Sequence, residues 1–149
     1  MDVDVYNTVE IERAAAAVAA YAMDPDNAPR WYKNIKSIEW RTPRPLAVGT
    51  QLDFVAEFLG RRLAYTYEVV ELVPGARMVM RTAQGPFPME TTYEFTETGP
   101  SRTRMGLRNR GTPAGFASVI APVMIGAMNL ANRKDLRAIK EILEGQGAN

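Results

Sequence analysis

Tyr65 and Tyr67, Thr91 and Tyr93, and Asn109 fall at alternate positions of three apolar-patterned segments, so each polar tip shares a sheet face with bulky apolar neighbours. The chemistry open to such a set is narrow. The chain has no histidine and no cysteine, which removes the usual general base near neutral pH, the commonest metal ligand, disulfides and thiolate nucleophiles. A tyrosine ionises near pH 10 in water and is a weak base unless its surroundings shift it strongly. Tyr67, Tyr93 and Asn109 are therefore candidate catalytic residues only in a restricted sense: they can polarise a carbonyl and hold an intrinsically reactive molecule in place, where positioning does much of the work. The alternative is that all five are ordinary buried groups with satisfied partners. Neither a metal site nor a cofactor is expected from this set.

The elements that must position these residues are legible from periodicity and turn chemistry. Val3, Val5, Val9 and Ile11 alternate with mostly polar neighbours and predict a first strand, followed by an alanine-rich helix over 12–23. Asp24 is placed to cap a second helix and Pro25 suits its first position, where no amide hydrogen is needed. Pro29 limits that helix to about two turns, partly 3₁₀, ending near Lys33. "SIEWR" alternates into a second strand. After the proline-punctuated stretch 42–49, five more strands are expected at 50–59, 61–72, 76–83, 88–97 and 102–110, separated by turn signals at Gly60, Pro74-Gly75, Gly85-Pro86 and Gly99-Pro100. Thr112 and Pro113 then predict the start of a long helix reaching Glu144, with Pro122 kinking it and so allowing its first half to move. The pattern is α+β in one domain: a curved seven-stranded antiparallel sheet, two short helices between strands 1 and 2, and one long C-terminal helix covering the apolar face.

Parity sorts the inner face. It offers Phe54 and Phe58, Tyr65 and Tyr67, Met78 and Met80, Met89, Thr91 and Tyr93, and Met105, Leu107 and Asn109. Ile120, Met124 and Met128 face it from the closing helix, the two methionines four residues apart. Methionines make adaptable walls for a ligand, or they fill an ordinary core. In an antiparallel meander the turns at Gly60, 84–88 and 110–115 share one end, which gathers Trp31, Tyr32, Phe87 and Phe116 as the mouth of a pocket or as a plug that finishes the core. These nineteen residues are the candidate ligand contacts.

Charge points to no particular partner. With 18 basic and 17 acidic residues the net charge is +1, and the arginines of 102–110 lie on the outer face, where Glu90 and Glu94 stand across from them as pairing partners. Nucleic acid is not expected, and neither is stable membrane insertion: the apolar heart of the least charged run, 114–128, is short of the roughly 20 residues a span requires. The acidic start of the chain, with no apolar stretch behind it, suits a cytoplasmic protein.

In "YAMDPDNAPRWY", "RRLAYTYEVVELVPGARMVMRT", "GPFPMETTYEF" and "ANRKDLRAIKEILEG", taken in that order, the chain resembles the START-like helix-grip superfamily, also called SRPBCC, and within it the polyketide cyclase/dehydrase and lipid-transport group. The resemblance implies a sheet that grips the last helix around a deep cavity holding an apolar or aromatic ligand. Members range from aromatic polyketide cyclases to sterol and lipid carriers, so the fold does not select the function. Some catalytic members carry a histidine that this chain lacks. Three functions follow as expectations: a binder of a small hydrophobic, cyclic or polyketide- or lipid-like ligand; a cyclase or dehydratase acting by substrate orientation; and a protein-interaction module, homodimerisation included. A deep cavity favours the first, a filled core with an exposed aromatic patch the third.

Overall fold

The alternating segments form β1 (Val3–Ile11), β2 (Ile35–Trp40), β3 (Gln51–Phe58), β4 (Arg61–Val73), β5 (Arg77–Gln84), β6 (Met89–Gly99) and β7 (Arg102–Gly111), all in one antiparallel seven-stranded sheet of order β1-β7-β6-β5-β4-β3-β2. The structure, a computed structural model, describes residues 2–113 and 116–146. Short connections force successive strands to pair antiparallel, and β1 closes the series on β7, with Val5 opposite Asn109 and Val9 opposite Met105. The link from β3 to β4 is two residues, Leu59 and Gly60, with φ of 52° and 74°. Both are left-handed, the turn geometry that matches the twist of the flanking strands.

Register shifts bend the sheet. They lie in β2 between Ile35 and Ser37, twice in the β4–β5 pairing, once on each strand, and near the end of β6 between Glu97 and Gly99. Each extra residue kinks its strand and increases local twist, so the sheet curls round the element on its inner side.

α1 (Ala15–Ala22) is shorter than the expected 12–23, because Arg13 N donates to Ile11 O and Ala14 is still extended. It packs Val18, Ala19 and Ala22 towards β6 and β7, where alanines permit close approach. Asp24 then accepts a hydrogen bond from Asp26 N at 3.0 Å, capping a 3₁₀ turn (Pro25–Asn27) that passes into α2 (Ala28–Trp31). This two-part cover is tied to β2: Asp26 accepts from Trp40 Nε1 at 2.9 Å and pairs with Arg44, whose guanidinium lies 4.3 Å from the Trp40 ring centroid.

The closing helix differs from its expectation. Thr112 N donates to Pro88 O, extending the β6–β7 pairing, and the described helix comes in two pieces, α3 (Phe116–Val119) and α4 (Ala121–Gln146). Pro122 has no amide hydrogen to give the carbonyl of Ser118, so a continuous helix fails there and the chain breaks at Ile120, leaving Pro122 harmlessly in the first turn of α4. The far end runs past Gly145 to Gln146, its last turn held by Glu12 N on Glu144 Oε2 at 2.9 Å and by Arg13 on Glu144 O. No helix among the described residues is long and apolar enough to cross a membrane.

Most of the core forms where Leu136, Ile139 and Leu143 of α4 meet Ile11, Leu52, Val69, Met78, Met105 and Leu107. A small second cluster joins Val3, Val5 and Ala121 at the other end. The outer face is a ladder of ion pairs. Glu90 pairs with Arg110 as expected, but Glu94 takes Arg77, while Arg104 and Arg102 go to Glu10, and Arg108 to Asp4. β1 lies on the other flank of β7, and its carboxylates take three of the arginines expected to face β6.

Candidate ligand cavity

Between these two clusters the layers do not close. Along α4, Leu136 and Ile139 are long enough to reach the sheet, whereas Ala131 is short and Asn132 and Asp135 end in polar groups, and the sheet curves away beneath them. The result is a cavity of about 140 Å³. Phe54, Ala56 and Phe58 of β3, with Leu63, Tyr65 and Tyr67 of β4, make one wall; Met80, Met89, Thr91, Tyr93 and Asn109 make the floor; Met124, Met128, Ala131, Asn132 and Asp135 make the roof; and Tyr32, Asn34, Ile35 and Phe87 stand at the end.

The walls are aromatic and preset. Phe54 and Tyr65 stack with centroids 5.5 Å apart and planes at 15°, and Tyr67 meets them edge-on at 5.8 and 5.0 Å. Such arrangements hold rings in place beyond what burial alone achieves.

The polar groups form one directed chain. Tyr67 Oη and Thr91 Oγ1 are 2.8 Å apart, Thr91 donates to Asn109 Oδ1 at 2.7 Å, and Asn109 Nδ2 donates to Asn132 Oδ1 at 2.9 Å. Since the Thr91 proton is committed to Asn109, Tyr67 must be the donor to Thr91. Asn132 Nδ2 ends the chain, buried and without a partner.

Burial raises the tyrosines. It pushes Tyr67 up to about 12, and holds Tyr93, Tyr65 and Tyr32 above the ordinary phenol value as well. All four are therefore protonated donors at neutral pH and none is a base. Asp135 is the one carboxyl on the cavity wall among the described residues, and burial raises it to about 6, opposed by the Lys33 backbone N–H at 3.1 Å and the Lys33 charge.

A second concavity adjoins the first. It shares Asn34, Phe58, Ala131 and Asp135 with the cavity and adds Lys33, Leu59, Leu130 and Lys134, which places an outward-facing depression between the β3–β4 turn and α4.

Of the residues singled out in the sequence, thirteen stand on the cavity wall. Trp31 does not. It is 0 % exposed, packed against Tyr32 at 4.1 Å and Tyr93 at 5.6 Å, because adjacent helical residues point in different directions and only Tyr32 turns to the hollow. Met78, Met105 and Leu107 lie on the correct face but further along their strands, under the packed half of α4. Ile120 sits in the break before α4, off the wall, and the side chain of Phe116 lies outside what the structure describes. Sequence reasoning missed Ala131, Asn132 and Asp135, as well as Val3, Asn34, Ile35, Ala56, Leu63, Arg110 and Gly111. Continuing the Met124–Met128 stripe by four and then three residues reaches Asn132 and Asp135.

Residues 2–144 match the model of the family described as polyketide cyclase / dehydrase and lipid transport. No curated protein sequence matches. Solved structures with the same fold include a protein of Thermus thermophilus (19% identity, TM-score 0.82, 97% of this chain and 99% of that one). A START superfamily protein from Mycobacterium smegmatis superposes at TM-score 0.79 with 17% identity, covering 96% and 98%. The Zhui aromatase/cyclase from a Streptomyces species, strain R1128, does so at 0.80 with 15% identity, covering 97% and 94%.

Proposed function

The chain belongs to the polyketide cyclase / dehydrase and lipid transport family, and from that premise we propose that it binds a compact hydrophobic molecule, cyclic or aromatic, beneath α4. The observation that carries this reading is the hollow of about 140 Å³ walled by three mutually packed rings and four methionines. A dry apolar cavity of roughly 150 Å³ takes a benzene-sized guest, so one ring fits without rearrangement and a larger guest needs the methionines to shift. Titration calorimetry with one- and two-ring aromatic ketones and phenols tests it: one site per chain and a negative heat-capacity change are expected. No heat and no thermal stabilisation across that series would overturn it.

Cyclase or dehydratase chemistry is the second reading, and Asp135 favours it. A carboxyl that titrates near 6 is mostly ionised at neutral pH and basic enough to take a proton from an activated carbon. The protonated phenol of Tyr93 and the Asn109 amide would then hold the substrate. Turnover of a poly-ketone substrate lost in Asp135→Asn and lowered in Tyr93→Phe or Asn109→Ala supports this reading; full turnover in all three counts against it. An interaction module is disfavoured: the exposed large apolar side chains among the described residues include one aromatic, Tyr6, and so make no aromatic patch.

A further inference from the structure

Asn132 is 3 % exposed, lines the cavity, and has a carboxamide used on one side only. Its oxygen takes Asn109 Nδ2, at the end of a chain that runs from Tyr67 through Thr91 and the Asn109 carboxamide. Turning the carboxamide over would set its nitrogen against the Asn109 nitrogen, donor against donor. The group offered to the cavity is therefore an N–H, and a buried N–H without a partner is a cost that a ligand acceptor removes.

Two of its polar neighbours are engaged elsewhere or of the wrong kind: Tyr67 donates to Thr91, and Asp135 is an acceptor. The phenols of Tyr32, Tyr65 and Tyr93 also line the cavity and are the competing donors that the test below separates. We propose that the guest carries a carbonyl oxygen, as in a cyclic or aryl ketone, and that Asn132 Nδ2 donates to it. A carbonyl suits the position because it accepts and brings no proton that needs a partner of its own. This rests on the reading that the cavity holds an apolar ring, and it adds the ligand class and the residue that orients it.

Acetophenone and α-methylstyrene have nearly the same shape and differ in C=O against C=CH₂, so comparing them isolates the bond. Measured by calorimetry on the full chain, Asn132→Leu is expected to weaken acetophenone about tenfold while α-methylstyrene binds as before or tighter. Infrared spectra of bound acetophenone supply a second readout: in the unaltered protein its carbonyl stretch lies below the position found in hexane, and in Asn132→Leu it returns towards that position. A ratio of the two affinities that Asn132→Leu leaves unchanged overturns the proposal. So does a lowered stretch that persists in the variant, which assigns the donor to a tyrosine such as Tyr65. Should the variant not fold, a carbonyl stretch at its hexane position in the unaltered protein decides against the bond. If neither compound binds the unaltered protein, the ring-binding reading falls and this inference with it.

Discussion

Replacing Asp135 by asparagine should stabilise the protein, and the gain should depend on pH. The carboxyl is 3 % exposed and its pKa is raised from 3.8 to about 6, chiefly by burial. The folded state thus binds this proton more tightly than the unfolded chain does. Stability from this group is fully present below pH 3.8, declines as pH rises through the interval to about 6, and stays low above it. A rise from 3.8 to about 6 corresponds to roughly 3 kcal/mol lost at pH 8 and roughly 1 kcal/mol at pH 4.5. Asparagine keeps an oxygen for Lys33 N and cannot ionise, so Asp135→Asn should exceed the parent by about 3 kcal/mol at pH 8 and by about 1 kcal/mol at pH 4.5. Other carboxylates titrate in both proteins and cancel in the difference. Urea unfolding at the two pH values, analysed at equal m, measures it. An advantage that is equal at both, or reversed at pH 8, would refute the argument that burial governs Asp135. A buried charge retained at such a cost is what a functional site leads one to expect.

Tyr67→Phe removes the donor to Thr91 and should lower stability by about 1 kcal/mol, seen as a reduced urea midpoint with unchanged slope. Leu59 has φ of 52°, and Leu59→Asn, which tolerates that conformation and makes the Asn-Gly pair favoured in such turns, should raise stability by about 1 kcal/mol on the same assay. Pro122→Ala restores an amide hydrogen at the break between α3 and α4; if movement of that segment admits the guest, stopped-flow exchange should slow, and an unchanged rate would remove Pro122 from the path.

The strands were legible because one face is buried and the other wet, so period two is written into Gln51–Phe58 and Met89–Gly99. The short cover was legible because Asp24 and Pro25 mark its start. What alternation cannot supply is position along a strand. Met78 and Met80 share a face, yet Met78 lies across from Tyr93 under the packed half of α4 and Met80 across from Thr91 at the hollow. The same holds for Leu107 and Asn109 on β7. Asn132 and Asp135 escaped notice for a different reason: Asp135 sits among the charges of 133–144 and Asn132 directly before them, a composition that reads as a solvated face, and only the packing of α4 over the sheet turns them inward.

The most direct test of a hollow that admits a ring is methyl NMR on protein labelled at its methionines. Met80, Met89, Met124 and Met128 line the cavity, while Met78 and Met105 are buried in the core beside it and serve as internal controls. Titration with acetophenone should shift the first four methyls and give intermolecular NOEs from them to the aromatic protons, with Met78 and Met105 nearly still. Shifts absent from all four, or NOEs found only at surface side chains, would contradict the account.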